Sequence, residues 1–204
     1  MMNPVQPQSS ECMDVDLHSK QLLKPTSEIG IWIFIFADMC VFALYFGVYA
    51  WARTGNLEMY AKGQASLNIF IGSLNTVLLL VSSYWIASGL HAWRAKNIGR
   101  CVRYIKLTMM GGFGFLVAKT FEYVEKFNDD YTIITNEFYS YYFAFTGFHL
   151  VHVVIGLCLL GFVLKSMKDT STEYSELTHL ETASLYWHMV DLLWVVLFAL
   201  FYLV

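Results

Sequence analysis

The sequence predicts an all-α protein that crosses a membrane five times. Hydrophobic residues make up 57% of the chain and aromatic residues 17%, whereas charged residues account for only 14%. This composition lies outside the usual range for a soluble globular domain. The charges are concentrated between long apolar runs, and five of these runs reach the length of about 20 residues that a spanning helix needs. The net charge of −3 is small and argues against a nucleic-acid partner.

The first 27 residues differ in composition from the rest of the chain. They are polar, contain all three prolines and lack the apolar core of a cleavable signal peptide. This composition predicts a flexible cytoplasmic tail over residues 1–27 and a membrane domain over residues 28–204. The first span is therefore expected to direct membrane insertion itself.

The predicted spans follow one another with short connections. The second has no charged residue between Asn68 and His91, and the fourth has no Asp, Glu, Lys or Arg between Glu137 and Lys165. The third is the least apolar, because four charged residues crowd its C-terminal end. The five spans are predicted near residues 28–51, 66–92, 103–126, 138–164 and 182–204.

Lysine and arginine residues are distributed unequally between the two sides of this predicted bundle. The side that holds the N-terminal tail, the second connection and the fourth connection carries nine of them, whereas the opposite side carries three. Positive residues near spanning helices are retained in the cytoplasm. The bias predicts a cytoplasmic N-terminus and a C-terminus on the outer side of the membrane.

Asp38 lies in the first span, in the stretch "IWIFIFADMCVFALYF". With a rise of about 1.5 Å per residue, it is expected within a few Å of the membrane midplane, where a charged group costs roughly 2.5–3.5 kcal/mol to insert. A carboxylate there either finds a partner or stays protonated. Two interpretations are open: a protonated or hydrogen-bonded group packed against another helix, and a residue with a proton-relay or ion-coupling role.

Lys119, Glu122, Glu125 and Lys126 are expected to share one broad face of the third spanning helix. Glu122 and Lys126 have the i, i+4 spacing, with the acid first, that favours an ion pair. An internal ion-pair network compensates its own charges and is the first interpretation. Contact with a lipid headgroup or a partner subunit, and metal ligation, are the alternatives.

His149 and His152 lie in "TGFHLVHVVIGL", on a helical stripe that also contains Gly156. Two histidines at i and i+3 can turn toward one site, but a membrane metal centre needs further ligands from other helices. A pair of haem-ligating histidines is numerically compatible with the sequence. Hydrogen bonds to acidic or backbone groups on other helices are the other interpretation.

The last span has a polar stripe formed by Trp187, Asp191 and Trp194, with His188 beside it. Indole N–H groups can donate to a carboxylate, and an imidazole can bind it as well. We therefore predict a buried network around Asp191 that fixes the last helix. A catalytic use of these residues is the alternative.

Four segments of the chain together resemble subunit III of the haem–copper oxidase superfamily. They are "SLNTVLLLVSS", "TFEYVEKF", "YYFAFTGFHLVHVVIGL" and "LYWHMVDLLWVVLFALFYL", and the resemblance covers roughly residues 27–204. The five-span form is similar to that of bacterial quinol oxidases. Within the family, "ADMCVF", "LNTVLLLVSSYW" and the terminal segment most resemble the subunit-III-like proteins associated with bacterial nitric oxide reductase.

This resemblance implies an accessory subunit of the bacterial inner membrane with a periplasmic C-terminus and no metal centre. Haem, with copper or iron, is then expected in a catalytic partner subunit, and phospholipid in a cleft between two groups of helices. Asp38 matches the buried acidic position of the family, where cytochrome c oxidases usually have Glu. The paired glutamates of the family match Glu122 and Glu125, and its packing and hydrogen-bonding positions match His149, His152, His188 and Asp191.

The sequence is also compatible with two other functions. A proton- or ion-translocating protein would use Asp38 and Glu122, although the sequence has no inverted repeat and no paired helices broken by Pro or Gly. A membrane metalloenzyme would use the two histidines of the fourth span with the two glutamates of the third. Four histidines in or beside the spans cannot supply the ligands of two haems and a copper ion. The chain is therefore expected to bind no haem, copper or iron itself.

Overall fold

The computed structural model describes residues 26–167 and 173–203 of the chain. Every regular element in these two ranges is helical, and five helices are long and apolar enough to cross a membrane. The predicted all-α fold with five spans is confirmed. Apart from its last two residues, the predicted flexible tail lies outside the described ranges. The elements are α1 (Thr26–Gly55), α2 (Leu57–Ala65), α3 (Ile69–Arg94), α4 (Ile98–Asn128), α5 (Glu137–Ser166) and α6 (Glu173–Phe198), which continues as a π-helix over Ala199–Leu203.

Asparagine residues begin four of these helices. The side-chain oxygens of Asn56, Asn68, Asn97 and Asn136 accept hydrogen bonds from backbone N–H groups in the first turns of α2, α3, α4 and α5. Asn is favoured at this position because its oxygen satisfies a donor that has no partner within the helix. Capping lets α4 begin at Ile98, five residues before the predicted third span. The nine-residue helix α2, which the hydropathy pattern did not predict, lies outside the spans.

Helices α3 to α6 pack against one another, with α3 on α4, α4 on α5, α5 on α6 and α6 back on α3. The part of α1 that follows Cys40 contacts α5 through aromatic rings. The centroids of Tyr45 and Phe145 lie 5.5 Å apart, as do those of Phe42 and His152. The described residues before Cys40 belong to a second unit, and this part of α1 is mostly exposed and apolar.

Trp187 fixes the position of α6 against α4 and α5. Its side chain is fully buried. A methyl group added at Gly112 would lie 2.5 Å from the indole ring, and one added at Gly156 would lie 2.8 Å from it. Both distances are shorter than a van der Waals contact, so only glycine allows the two backbones to come this close to the ring. This close packing of Trp187 sets the register of α6, the helix that carries the polar stripe.

Candidate functional site: a buried lysine–glutamate pair

Lys119 and Glu122 form an ion pair inside the bundle, one turn apart on α4. Lys119 Nζ lies 2.9 Å from Glu122 Oε2, and the exposed fractions of the two side chains are 0% and 1%. Removing two charges from water costs several kcal/mol per ion, and their mutual attraction offsets this only when the remaining donors and acceptors are also satisfied. The surroundings of the pair therefore decide whether it stabilises the fold.

Two tyrosine hydroxyls complete the hydrogen bonding of the pair. Lys119 Nζ donates to Tyr142 Oη at 2.8 Å and to Tyr202 Oη at 2.9 Å. Both hydroxyls donate in turn to Glu122 Oε1, at 2.9 Å for Tyr142 and in a short hydrogen bond for Tyr202. The three protons of the ammonium group are all used. The four side chains form a closed and satisfied network.

The network brings together three separate parts of the chain. Tyr142 comes from the second turn of α5, and Tyr202 comes from the π-helix at the end of α6. A π-helix rotates side chains relative to the preceding α-helix, because each turn contains an additional residue. Phe201 and Tyr202 are both buried. Lys119 Nζ also lies 5.1 Å from the centroid of the Trp194 ring, a cation–π distance.

The structure changes the predicted ion pairing at the end of the third span. Lys126 does not pair with Glu122: its Nζ donates to the carbonyl oxygen of Ser66 at 2.7 Å and lies 3.9 Å from Asp129 Oδ2. The predicted i, i+4 pair of Glu122 with Lys126 is therefore wrong. Glu122 instead pairs with Lys119, one turn earlier on the same helix.

Glu125 is exposed and does not lie on the face that it was expected to share. At about 100° per residue, positions 119, 122 and 126 fall within about 60° of one another on the helix. Position 125 lies about 120° away from position 119. The face contains three of the four charged residues, and all three are buried.

His149 and His152 have different surroundings. His149 is fully buried, and its ring centroid is 5.5 Å from that of Phe115 and 5.3 Å from that of Trp194. Neither of its ring nitrogens has a hydrogen-bond partner in the described part of the chain, so the predicted interhelical hydrogen bond is wrong for this residue. His152 Nδ1 lies 2.8 Å from the carbonyl oxygen of Phe148 on its own helix.

The polar side chains of α6 bind to α3 instead of to Asp191. Trp187 Nε1 donates to Ser82 Oγ at 3.0 Å, and Trp194 Nε1 donates to Thr76 Oγ1 at 3.1 Å. The predicted network of indole donors around the carboxylate is wrong, because hydroxyl side chains on the neighbouring helix are closer acceptors.

His188 follows the same pattern, with Nδ1 at 2.5 Å from Ser83 Oγ. Asp191 lies between His188 and Trp194 on α6 and is buried. Ser83 approaches it, but among the described residues no donor meets the geometry of a hydrogen bond to either carboxylate oxygen.

Asp38 lies on α1 and is half-buried. The span that contains it runs over Ile29–Gly55, which puts Asp38 about 6 Å along the helix from the middle of the span. The role of Asp38 in proton movement or packing stays a prediction.

Sequence reasoning missed the residues that complete the site. Tyr142 and Tyr202 form the network with the ion pair, and Ser82 and Thr76 accept from the indoles. One general signal was present in the sequence: a buried charge needs donors compatible with an apolar interior, and tyrosine is such a donor. The tyrosine-rich segment "YSYYF" at the start of α5 carries that signal, although sequence alone does not indicate which tyrosine is used.

Comparison with known proteins places the chain in a family. A family model described as cytochrome c oxidase subunit III matches residues 15–204. Cytochrome c oxidase subunit 3 of Synechocystis sp. is 32% identical over 176 residues, which cover 85% of this chain and 74% of the relative. Cytochrome bo(3) ubiquinol oxidase subunit 3 of Buchnera aphidicola subsp. Acyrthosiphon pisum is 29% identical over 174 residues, covering 85% and 84%. Quinol oxidase subunit 3 of Bacillus subtilis is 26% identical over 175 residues, covering 86% and 85%.

Proposed function

The chain belongs to the cytochrome c oxidase subunit III family, and on this premise we propose that it is a metal-free accessory subunit of a respiratory oxidase or nitric oxide reductase complex. Its function is to stabilise the catalytic subunit of that complex in a bacterial inner membrane. The catalytic partner holds the haem, together with copper or iron, and reduces the substrate.

The hydrogen bonding of the buried ion pair carries this proposal. Every proton of the Lys119 ammonium group and both oxygens of Glu122 are hydrogen-bonded within the chain. A carboxylate that translocates ions must exchange its partner during transport. Glu122 is instead held by three partners from three helical segments. The arrangement favours a structural role over ion translocation through Glu122.

The positions of the histidines give no support to the metalloenzyme alternative. His149 lies between two aromatic rings, whereas His152 faces Phe42 and bonds to its own helix. Glu125, a proposed ligand in that alternative, is exposed. Within the described ranges, no three His, Cys, Asp or Glu side chains come together as a metal site would require.

The substrate of the complex, oxygen or nitric oxide, depends on the catalytic partner. The three relatives named above are subunits of cytochrome c and quinol oxidases. The proposed association with a nitric oxide reductase rests on the sequence segments "ADMCVF" and "LNTVLLLVSSYW" and on Asp38 in place of Glu. Phospholipid is proposed in a cleft against the partner. The N-terminus is proposed in the cytoplasm, so that five spans put the C-terminus in the periplasm. Activity of a cytoplasm-specific reporter fused after Val204 would contradict this orientation.

Purification of the tagged chain from its native membrane in mild detergent tests the proposal. We expect a haem-containing membrane subunit to co-purify and to reduce oxygen or nitric oxide in a direct assay. After dissociation, the isolated chain is expected to lack a Soret band. A Soret band that stays with the chain and disappears in the His149→Ala variant would contradict the proposal.

A further inference from the structure

A groove of about 480 Å³ lies between α3 and α4, at the end of the bundle where the connection Ala95–Asn97 joins them. It is separate from the buried ion pair, which lies near the opposite end of α4. The groove is lined by polar side chains from both helices. These are Ser88 and His91 from α3, Arg100 and Tyr104 from α4, and Asn97 from the connection.

The groove lies in a strongly basic part of the chain. The sequence contains no acidic residue between Glu58 and Glu122, so both helices that form the groove lack acids along its length. On the neighbouring α6, Glu181 Oε1 binds Arg94 at 2.9 Å. Among the described residues Arg100 forms no ion pair, and it is an exposed residue that lines the groove. Charge therefore favours an anionic ligand.

An exposed apolar stripe continues from the groove along α3 toward the middle of the bundle. Tyr84, which lines the groove, is 69% exposed, and Leu80 and Val77 below it are 50% and 55% exposed. Their spacing of four and three residues puts them on one line of the helix surface. Tyrosines such as Tyr84 and Tyr104 are typical of the headgroup level of a membrane, where the ring is apolar and the hydroxyl is hydrated. The groove thus lies at the polar end of an apolar track.

We infer that this groove binds the phosphate group of an anionic phospholipid. Arg100 has the planar fork that matches two phosphate oxygens. The side chains of Ser88, His91 and Tyr104 are further donors at the same groove. The acyl chains lie along Val77 and Leu80. A soluble phosphate shares the headgroup chemistry but makes no use of the apolar stripe, which is the reason to assign a lipid. The site is independent of the cleft against a partner subunit proposed above.

Native mass spectrometry of the purified, tagged protein with its co-purifying subunits tests this site by titration with phosphatidylglycerol and phosphatidylcholine. We expect one phosphatidylglycerol molecule to bind with at least about fivefold higher affinity than phosphatidylcholine. This factor corresponds to about 1 kcal/mol, which is what one basic side chain near a membrane surface contributes to the binding of an anionic lipid. Arg100→Gln is expected to remove this preference. The matched control is Arg103→Gln, which removes the same charge from an exposed position of α4 outside the groove. It is expected to change the affinity by less than about twofold.

Three results would overturn the inference. Equal loss in the two arginine variants would show a diffuse effect of surface charge. Equal binding of the two lipids to the unmodified protein would show that the phosphate site does not select an anion. Competition by glycerol 3-phosphate as strong as that by phosphatidylglycerol would show a site for a soluble phosphate. A second variant, Arg100→Lys, is expected to retain part of the preference, because it keeps the charge and loses the fork.

Discussion

Lys119 Nζ and Tyr202 Oη lie 2.9 Å apart, although 83 residues separate them in the sequence. This hydrogen bond joins the π-helix that follows α6 to a buried side chain of α4. Tyr142 makes the corresponding bond from α5. The buried ion pair is therefore a junction between α4, α5 and the terminal π-helix, and it accounts for the charged residues in the least apolar span.

The variant Lys119→Met tests whether the ion pair depends on both partners. It leaves Glu122 buried without its counter-charge, and the expected loss in the free energy of unfolding is about 3–5 kcal/mol. The measurement is a denaturant titration in detergent micelles. Lys62→Met is the matched control, because Lys62 pairs with Glu58 on the exposed surface of α2, and such pairs contribute about 1 kcal/mol or less.

The double variant Lys119→Met, Glu122→Met extends this test. When both charges are removed, no uncompensated group stays in the core, so most of the loss is expected to be recovered. Losses that simply add in the double variant would mean that the two side chains act independently, contrary to the observed pairing.

The variant Tyr202→Phe tests the link between the π-helix and the ion pair. It removes one hydrogen bond to each member of the pair, at an expected cost of about 1–3 kcal/mol. Tyr45→Phe is the control, because Tyr45 is exposed on α1. Equal stability of the two variants in thermal unfolding would contradict the proposed junction.

Substitution of Gly156 tests the close packing around Trp187. A methyl group at this position would lie 2.8 Å from the indole ring, so Gly156→Ala is expected to cost about 1–3 kcal/mol through overpacking. Gly147, on the same helix, has open space around the corresponding position. Gly147→Ala is therefore expected to be neutral or to stabilise the helix by up to about 1 kcal/mol. The prediction fails if the two alanine variants unfold at the same denaturant concentration.

Asp191→Leu tests the finding that this carboxylate has no hydrogen-bond donor among the described residues. A buried polar group without a partner costs roughly 1–3 kcal/mol, so the substitution is expected to preserve or raise the stability of the isolated chain. A loss of more than about 1 kcal/mol would instead indicate that Asp191 has a donor. Lower assembly with unchanged stability of the chain would place the partner of Asp191 in another subunit.

The sequence predicted the spans well because the cost of inserting polar groups into a membrane leaves a clear hydropathy pattern. It predicted burial of charge at the end of the third span but assigned the wrong pair, since Glu122 has a lysine both three residues before it and four residues after it. The roles of Tyr142 and Tyr202 depend on contacts between helices. Local spacing carries no information about such contacts.

The indole groups of α6 illustrate the same limit. Trp187 and Trp194 lie near Asp191 along the sequence, and local reasoning therefore assigned them to it. In the structure, hydroxyl groups on α3 accept their hydrogen bonds. The acceptors could be found only from the packing of the two helices.

The turnover of the complex per haem, measured in the Tyr202→Phe and Lys119→Met variants, tests the central claim most directly. The complex is quantified by its haem absorbance, and the rate of oxygen or nitric oxide reduction is divided by that amount. If the buried network only holds the subunit together, the yield of assembled complex falls, whereas turnover per haem stays within about twofold of the unmodified complex. Normal assembly with turnover per haem reduced about a hundredfold, equivalent to about 2.7 kcal/mol in the activation barrier, would contradict the claim and assign the network to the reaction itself.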